Sequence, residues 1–362
     1  MKKTVWYGRS IALLACCSAT LAWADAAAWP QRAGTRAAVE VLESGAIPAL
    51  TRKAAEGDAQ AQLTLGLAFY LGKGVDQDWR QALEWIGKAA QQNHPAAQSR
   101  LGLMYAKGEG VSKDPAQAAK WLEKGALQGD AAAQYNLGIL YLGGVGVGKD
   151  PAAAAKWFRA AAEQGAVSAQ FNLAAMLARG QGVAANMTEA AQWYRKAADR
   201  GDLAAQHQLG LLYLNGKGIA QDSVEGLAWL NRAAEKGHLL ANHHLGEIYE
   251  NGKFGVKQDS QVAAQWYARA AEKNFAPAQY MLGMFYELGK GVDRDSSQAL
   301  AWYRKAAEKG HVLAQFALGV IYEEGRLTPR DQIEALGWYR KAADKNYAPA
   351  KNKVESMAGT AQ

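Results

Sequence analysis

Apolar residues recur three and four positions apart in segments of the form Ala-Gln-x-x-Leu-Gly-x-x-Tyr, as in residues 133–141. This spacing places the apolar side chains on one face of a helix. The glycine costs roughly 1 kcal/mol of helix propensity relative to alanine, and we expect it to let a neighbouring helix approach closely. The glycine position is filled by Gly66, Gly102, Gly138, Ala174, Gly210, Gly246, Gly283 and Gly319. The pattern therefore predicts a first helix that recurs along the chain.

A second amphipathic segment follows each first one, and an Asp or Asn stands in front of it. These residues are Asp78, Asp114, Asp150, Asn186, Asp222, Asp259, Asp295 and Asp331. Their side chains accept hydrogen bonds from the unpaired amides at a helix N-terminus. Pro115 and Pro151 come next, at the helix position where a missing N–H costs nothing. Basic residues near the end, such as Arg304 and Lys305, suit the negative end of the helix dipole.

The second segment carries a tryptophan that recurs at intervals of 36 or 37 residues. The series is Trp85, Trp121, Trp157, Trp193, Trp229, Trp266, Trp302 and Trp338. So strict a period indicates one helix-turn-helix unit copied eight times. Only Gly or Asn stands nine residues before each glycine position, and these two residues most readily adopt the left-handed conformation that ends a helix. The sequence therefore predicts a helix end at Gly57, Asn93, Gly129, Gly165, Gly201, Gly237, Asn274, Gly310 and Asn346.

The repeats predict an all-α, right-handed α-solenoid of eight helix-turn-helix units in residues 54–343. Each unit of such a fold buries its apolar face against its neighbours only, so 362 residues need no single large core. An N-terminal segment with a capping helix is expected in residues 25–53, with the helix at Ile47 to Glu56. A C-terminal capping helix and tail are expected in residues 344–362, where Lys351, Asn352 and Lys353 would solvate the end of the stack.

Residues 1–24 have the three parts of a secretory signal. Lys2, Lys3 and Arg9 are basic, residues 11–21 are apolar, and Ala22-Trp23-Ala24 is a small-x-small cleavage site. The apolar run is too short for a membrane helix. We expect export to the periplasm by the Sec route, with cleavage after Ala24.

Charge and cysteine usage change this picture little. Without the signal, 38 Lys and Arg face 34 Asp and Glu and form no basic block, so nucleic-acid binding is not predicted. Cys16 and Cys17 are the only cysteines, and the mature chain is expected to lack disulfides. The alternative is that Leu13-Leu14-Ala15-Cys16 is a lipobox, which would make the protein a lipoprotein anchored through Cys16.

The full pattern of Ala-Gln-x-x-Leu-Gly-x-x-Tyr, Gly-x-Gly-Val, Asp and Ala-x-x-Trp-Tyr-Arg-Lys-Ala-Ala resembles the Sel-one-like repeat (SLR) family, relatives of the tetratricopeptide repeats. The resemblance covers about residues 54–350 and recurs eight times. Ala174 and Leu177 depart from the pattern in the fourth repeat, Phe254 is inserted in the sixth, and residues 325–328 replace Gly-x-Gly-Val in the eighth. Because SLR proteins are mostly adaptors, the resemblance implies protein binding.

In this architecture the first helices line the concave surface. The residue two before the Leu of each Leu-Gly pair is aromatic or imidazole in the last six repeats: Tyr135, Phe171, His207, His243, Tyr280 and Phe316. Stacked helices lie roughly 8–10 Å apart, so these rings predict a continuous stripe, and aromatic side chains are common anchors of protein recognition. We call these six residues the aromatic stripe. The alternative interpretation is that they pack the scaffold.

The next position varies more in type and is a candidate determinant of specificity. It holds Arg100, Asn136, Asn172, Gln208 and His244, and Glu247 and Glu250 lie further along the same helix as His244. With Glu287, Glu323 and Glu324 these carboxylates predict an acidic C-terminal groove that would take basic ligands or cations. A solvated rim without a ligand is the alternative.

Histidines and catalytic motifs complete the candidate chemistry. His207, His243 and His244 lack a companion Cys or a His-x-x-x-His pair, and zinc needs donors that converge at about 2 Å, so neither a metal nor another cofactor is predicted.

Ser-x-x-Lys, Gly-x-Ser-x-Gly, Walker and His-Glu-x-x-His motifs are missing from the sequence. We therefore expect no catalytic residues and no enzyme activity. Some SLR proteins have been called β-lactamases, which leaves an envelope hydrolase as the alternative from another class.

These observations predict a non-enzymatic scaffold or adaptor of the bacterial cell envelope that binds a protein partner on its concave face. No nucleic acid and no membrane span are expected. The alternative role within the SLR resemblance is an immunity-type antagonist of a periplasmic toxin such as a lipase.

Overall fold

A computed structural model of the chain describes residues 46–359. Within these residues the protein consists of eighteen α-helices and contains no strand. The chain divides into two compact units, a first unit that ends at Trp193 and a second unit that begins at Tyr194. The signal segment, with Cys16 and the cleavage site after Ala24, lies outside the described residues.

Helix α1 (Ile47–Ala55) precedes eight helix pairs. The first helices of the pairs are α2 (Ala59–Leu71), α4 (Pro95–Lys107), α6 (Ala131–Gly143), α8 (Val167–Arg179), α10 (Leu203–Asn215), α12 (Leu239–Asn251), α14 (Ala276–Leu288) and α16 (Val312–Glu324). The second helices are α3 (Trp79–Gln91), α5 (Pro115–Leu127), α7 (Pro151–Glu163), α9 (Met187–Asp199), α11 (Ser223–Glu235), α13 (Ser260–Glu272), α15 (Ser296–Glu308) and α17 (Gln332–Ala343). Helix α18 (Ala348–Gly359) follows the last pair. The predicted all-α solenoid of eight repeats is confirmed.

Each second helix begins directly after the Asp or Asn that was predicted to cap it. Asp114 Oδ1 accepts hydrogen bonds from the amides of Ala116 and Gln117, each at 3.0 Å. Asn186 does the same for Glu189 in the fourth repeat, also at 3.0 Å. These bonds satisfy amides that have no partner inside the helix.

The helix ends at Gly or Asn are also confirmed. All nine positions predicted from this column have positive φ, from +61° at Asn93 to +99° at Gly57. A side chain strains the backbone in this region unless it is Asn or Asp. The inserted residue of the sixth repeat, Phe254, also has a positive φ of +58°, which is unusual for a bulky residue. The extra residue in this loop is therefore accommodated by an unfavourable backbone conformation.

The glycine of each Leu-Gly pair marks a close approach between the two helices of a repeat. A Cβ placed on Gly246 would lie 2.6 Å from Tyr267 Cε1, and one on Gly138 would lie 2.8 Å from Phe158. Both rings are fully buried and belong to the residue that follows the repeat tryptophan. The large side chain of the second helix therefore occupies the space that the glycine leaves open.

The glutamine of the Ala-Gln pair joins successive repeats. In the second repeat Gln98 Nε2 donates to the carbonyl of Ala90, at the end of the preceding second helix, at 3.2 Å. Equivalent bonds to the Ala eight residues earlier are made by Gln62, Gln134, Gln170, Gln206, Asn242, Gln279 and Gln315. Because these amides are buried and donate to carbonyls at a helix end, each bond fixes a first helix to the second helix before it.

Candidate interaction surface

The aromatic stripe lies between the helices more than on their surface. His207, His243 and Tyr280 are buried, whereas Tyr135 and Phe316 are half-buried, as is Phe171. The geometry favours packing over binding for the three buried side chains. That the aromatic stripe binds a partner stays a prediction.

Four of the six stripe rings pack against the large residue of the second helix in their own repeat. In the first unit the ring centroids of Tyr135 and Phe158 are 5.7 Å apart. In the second unit His243 lies 5.3 Å from Tyr267, Tyr280 lies 5.7 Å from Tyr303, and Phe316 lies 5.4 Å from Tyr339. These separations are those of interacting aromatic pairs.

Four histidines of the second unit form a cluster between repeats five and six. His207 Nε2 is 2.7 Å from His244 Nδ1, and the two rings are stacked with centroids 4.9 Å apart. The ring of His238 is 5.0 Å from His207, and that of His243 is 6.3 Å from His244. The sequence identified three of these residues, and the helix N-cap residue His238 joins them only in the folded chain.

Burial keeps these imidazoles neutral. Desolvation, followed by the neighbouring imidazoles His244 and His238, lowers the pKa of His207 to about 2. Desolvation likewise lowers the pKa of His243 to about 3, and it lowers the pKa of His238 and of His244. Within residues 46–359 no three His, Cys, Asp or Glu side chains are arranged so that they could hold a metal ion.

Two of the candidate specificity positions are buried in the first unit. The Arg100 guanidinium lies 4.5 Å above the ring of Tyr70, whose hydroxyl donates to Glu109 Oε2 at 3.0 Å. Asn136 Nδ2 donates to the carbonyl of Ala132 in its own helix at 2.8 Å. Desolvation lowers the pKa of Arg100. Asn172, Gln208 and His244 are half-buried and remain partly accessible.

Most of the carboxylates expected in the acidic groove are neutralised by cations. Glu287 is buried, accepts a hydrogen bond from the Tyr303 hydroxyl at 2.7 Å, and pairs with Arg326 of the next repeat at 2.8 Å. The same triple recurs as Glu250 with Tyr267 and Lys290, and as Glu323 with Tyr339 and Lys353. Glu324 pairs with Arg326 at 2.9 Å. We call the three Tyr–Glu–cation triples the carboxylate ladder.

The sequence contains a signal for this ladder that pattern analysis missed. In repeats six to eight a Glu follows the first-helix Tyr, and a Tyr follows the second-helix Trp. Elsewhere the two positions are mostly apolar, as with Leu214 and Leu230 in the fifth repeat. The joint change to Glu and Tyr indicates a hydrogen bond between the two helices of a repeat.

Glu247 differs from the other acidic residues of this region. Its side chain is 43% exposed, and its carboxylate lies 3.8 Å from His243 Nε2 and 3.9 Å from His244 Nε2. Desolvation raises its pKa, with Lys253 acting in the opposite direction from further away.

Glu247 stands in a row that sequence analysis did not single out. The row is the residue after the Leu-Gly glycine in repeats five to eight, namely Leu211, Glu247, Met284 and Val320, and all four are half-buried. We call it the Glu247 row. Gln208, His244, Met281 and Ala317 lie three residues earlier, on the same helix faces, and are half-buried as well. Together the two rows offer a partly exposed, mainly apolar surface on the first helices of the second unit.

Between residues 46 and 359 no helix combines the length and the apolar character that crossing a membrane requires. No curated protein matches the chain. The family model for the Sel1 repeat matches eight consecutive segments, residues 59–94, 95–130, 131–165, 167–202, 203–238, 239–275, 276–311 and 312–347.

Solved structures agree with this match. A protective antigen of uropathogenic Escherichia coli that displays an SLR fold is 36% identical, with a TM-score of 0.73 over 86% of this chain and 67% of that chain. A Sel1 repeat protein from Oxalobacter formigenes is 32% identical, with a TM-score of 0.69 over 86% of this chain and 89% of that chain. An immunity protein from Pseudomonas aeruginosa is 22% identical, with a TM-score of 0.41 over 61% of this chain and 83% of that chain, too distant to inform function. Eight matched repeats and two relatives above 30% identity show that this chain belongs to the Sel1 repeat family.

Proposed function

We propose that this protein is a non-enzymatic adaptor of the bacterial cell envelope, which binds a protein partner through its first helices. The observation that carries the proposal is the partly exposed surface formed by the Glu247 row and the residues beside it. Its side chains differ from repeat to repeat, from Leu211 to Glu247 to Met284. In a repeat protein, such differences at equivalent exposed positions are where a partner can be distinguished.

The remaining distinctive residues have structural roles that leave them little part in catalysis. His243 and Tyr280 of the stripe pack against second helices, the glutamines tie repeats together, and the carboxylate ladder joins helices of neighbouring repeats. Perturbed titrating groups in an enzyme usually line a cleft around a reacting group. Here two strongly perturbed groups, His207 and Tyr267, are buried against other side chains of the repeats.

The envelope location rests on residues 1–24 of the sequence, with export and cleavage after Ala24 as part of the proposal. Mass spectrometry of the protein's N-terminus, after expression in its own organism, distinguishes the two possible forms. A free N-terminus at Asp25 supports a periplasmic protein, and a diacylated Cys16 would replace this view with a lipoprotein.

Affinity capture tests the adaptor function directly. The full chain, with a C-terminal tag, would be expressed in its own organism and recovered from periplasmic and membrane fractions. We expect one envelope protein in stoichiometric amount, and a Met284→Glu variant should lose it. Val224→Glu is the matched control because Val224 is 81% exposed on a second helix. If circular dichroism shows that Met284→Glu unfolds, Leu288→Glu replaces it, since Leu288 is 63% exposed one turn further along α14.

The identity of the captured protein also decides between the finer roles. A signalling or wall-remodelling component would identify a scaffold, and a toxin such as a lipase would identify an immunity-type antagonist. If neither Met284→Glu nor Leu288→Glu reduces the amount of partner captured, the first-helix surface is not the binding site. Turnover of an envelope substrate by purified protein would contradict the non-enzymatic function and favour the hydrolase alternative.

A further inference from the structure

One repeat has a charged residue at the position that follows the Leu-Gly glycine. In the other seven repeats this position is apolar: Leu67, Leu103, Ile139, Ala175, Leu211, Met284 and Val320. In the sixth repeat it is Glu247. A carboxylate in an otherwise apolar row costs desolvation energy unless a cation or hydrogen-bond donor compensates it. The residues around Glu247 therefore decide whether the protein provides that compensation itself.

The folded protein leaves the charge of Glu247 largely uncompensated. Among the described residues no Lys or Arg forms an ion pair with it, and the two nearest imidazoles are neutral and beyond hydrogen-bond distance. Glu250, three residues further along α12, is held by Tyr267 and Lys290. Two carboxylates on one helix thus differ: Glu250 is paired within the scaffold, whereas among the described residues no Lys or Arg forms an ion pair with Glu247.

The side chains on either side of Glu247 are suited to an apolar peptide. Leu211 and Met284 flank it in the row, and Met281 and His244 lie beside them, all partly exposed. Methionine side chains adapt to differently shaped apolar partners because they are unbranched and polarizable. Met281 and Met284 also pack against a buried cluster that includes Tyr280 and Tyr303, which gives this surface a rigid base.

We propose, resting on the adaptor function above, that the Glu247 row docks a peptide segment of the partner that carries one Lys or Arg between apolar residues. The cation would pair with Glu247, and the apolar residues would cover Leu211 and Met284. Covering the carboxylate with a neutral or acidic segment would leave a buried, unpaired charge, which is costly. The same carboxylate therefore attracts basic segments and rejects others.

The distance between successive repeats also predicts how far apart the basic and apolar residues of the peptide should be. Stacked helices lie roughly 8–10 Å apart, and an extended peptide advances about 3.3 Å per residue. Apolar residues about three positions before and after the basic residue would therefore reach Leu211 and Met284. The expected motif is an apolar residue, two variable residues, Lys or Arg, two variable residues and a second apolar residue.

Selection from a random dodecapeptide phage library tests the proposal even while the partner is unidentified. The immobilised full chain would be compared with Glu247→Gln, Glu247→Lys and the control Glu235→Gln, whose carboxylate is exposed at the end of α11. We expect the motif to be enriched on the wild type and on Glu235→Gln. A selected peptide should bind Glu247→Gln about tenfold or more weakly, since hydrogen bonds to charged groups exceed about 1.4 kcal/mol. Glu247→Lys should select acidic peptides instead.

Two results would overturn the inference, and they are distinguishable. Enriched peptides that lack the basic residue, or that bind Glu247→Gln as well as the wild type, would remove Glu247 as a determinant while leaving peptide binding intact. A lack of enrichment on every variant would overturn the docking surface. If affinity capture by the same chain still succeeded, the adaptor function would then stand with a different surface.

Discussion

The Nε2 atom of His207 lies 2.7 Å from the Nδ1 atom of His244, so one imidazole donates a hydrogen bond to the other across two successive repeats. One nitrogen of the pair must carry hydrogen and the other must not, which requires at least one neutral ring. The His207 ring is buried and the His244 ring is half-buried, and a second positive charge would be repelled by the first. The junction between repeats five and six therefore depends on neutral histidines.

Stability should consequently fall as the pH drops below about 6.5, the ordinary pKa of histidine. The pKa values of His207 and His243 are lowered in the folded state to about 2 and about 3, so the unfolded chain binds more protons below pH 6.5. The free energy of unfolding then rises with pH, by up to roughly 1.4 kcal/mol per pH unit for each histidine between pH 6.5 and about 3. Urea denaturation at pH 7.5 and pH 5.5 measures this loss. The pKa of Glu247 is raised in the folded state, so as the pH falls its carboxylate takes up a proton more readily in the folded than in the unfolded chain. This partly offsets the loss of stability caused by the histidines.

A substitution taken from the protein's own repeats isolates one histidine. His243→Phe places at this position the ring that Phe171 and Phe316 have in other repeats, and we expect it to reduce the difference between the two pH values. An unchanged difference would mean that His243 is not kept neutral by folding. His94→Gln, at a half-buried position in the first unit, shows how far a histidine outside the cluster contributes.

The carboxylate ladder predicts a coupled effect at Glu287 and Tyr303. Glu287→Leu leaves the buried Tyr303 hydroxyl without its acceptor, which should destabilise the protein by about 1–3 kcal/mol. The double variant Glu287→Leu, Tyr303→Phe should recover much of this loss, because both partners are then apolar, as in the fifth repeat. A double-mutant cycle in urea measures the coupling, and additive losses would show that the hydrogen bond contributes little.

The glycine of the Leu-Gly pair predicts opposite results for two Gly→Ala substitutions. Gly319→Ala would place a Cβ in steric conflict with Tyr339 Cε1. This ring is fully buried and hydrogen-bonded to Glu323, so it cannot move aside easily. Gly337→Ala, on the second helix of the same repeat, meets nothing within 4 Å. We expect thermal unfolding at a lower temperature for the first and a gain of up to about 1 kcal/mol for the second. A tolerated Gly319→Ala would show that the two helices can separate at little cost.

The left-handed helix ends predict a ranking at Asn274. This residue has φ of +66°, which costs an ordinary side chain roughly 1–2 kcal/mol and glycine almost nothing. Asn274→Ala should therefore lower the free energy of unfolding by about 1 kcal/mol, whereas Asn274→Gly should leave it nearly unchanged. Chemical denaturation of the two variants gives the ranking, and equal stabilities would contradict the conformational explanation.

The helices, their limits and their number could be predicted from the residues along the chain alone. Each of these depends on chemistry within a few residues: Asp114 caps the amides two and three positions ahead of it, and Asn274 ends a helix through its own backbone conformation. Repetition made such signals clear, because the same residue type returned at the same place in most of the eight units. The fold followed because the apolar face of one repeat can be covered only by its neighbours.

Which polar residues belong to the scaffold depends on how the repeats pack in three dimensions. Glu247 and Glu250 are three residues apart on one helix and look alike in sequence, yet Lys290 neutralises the second and, among the residues that the structure describes, no Lys or Arg pairs with the first. The repeat position of Arg100 differs in residue type between repeats, which suggested a role in recognition, but Arg100 itself lies buried above the ring of Tyr70. These outcomes depend on side chains 30 to 40 residues away. Burial and ion pairing arise from how successive repeats pack, and no local pattern records them.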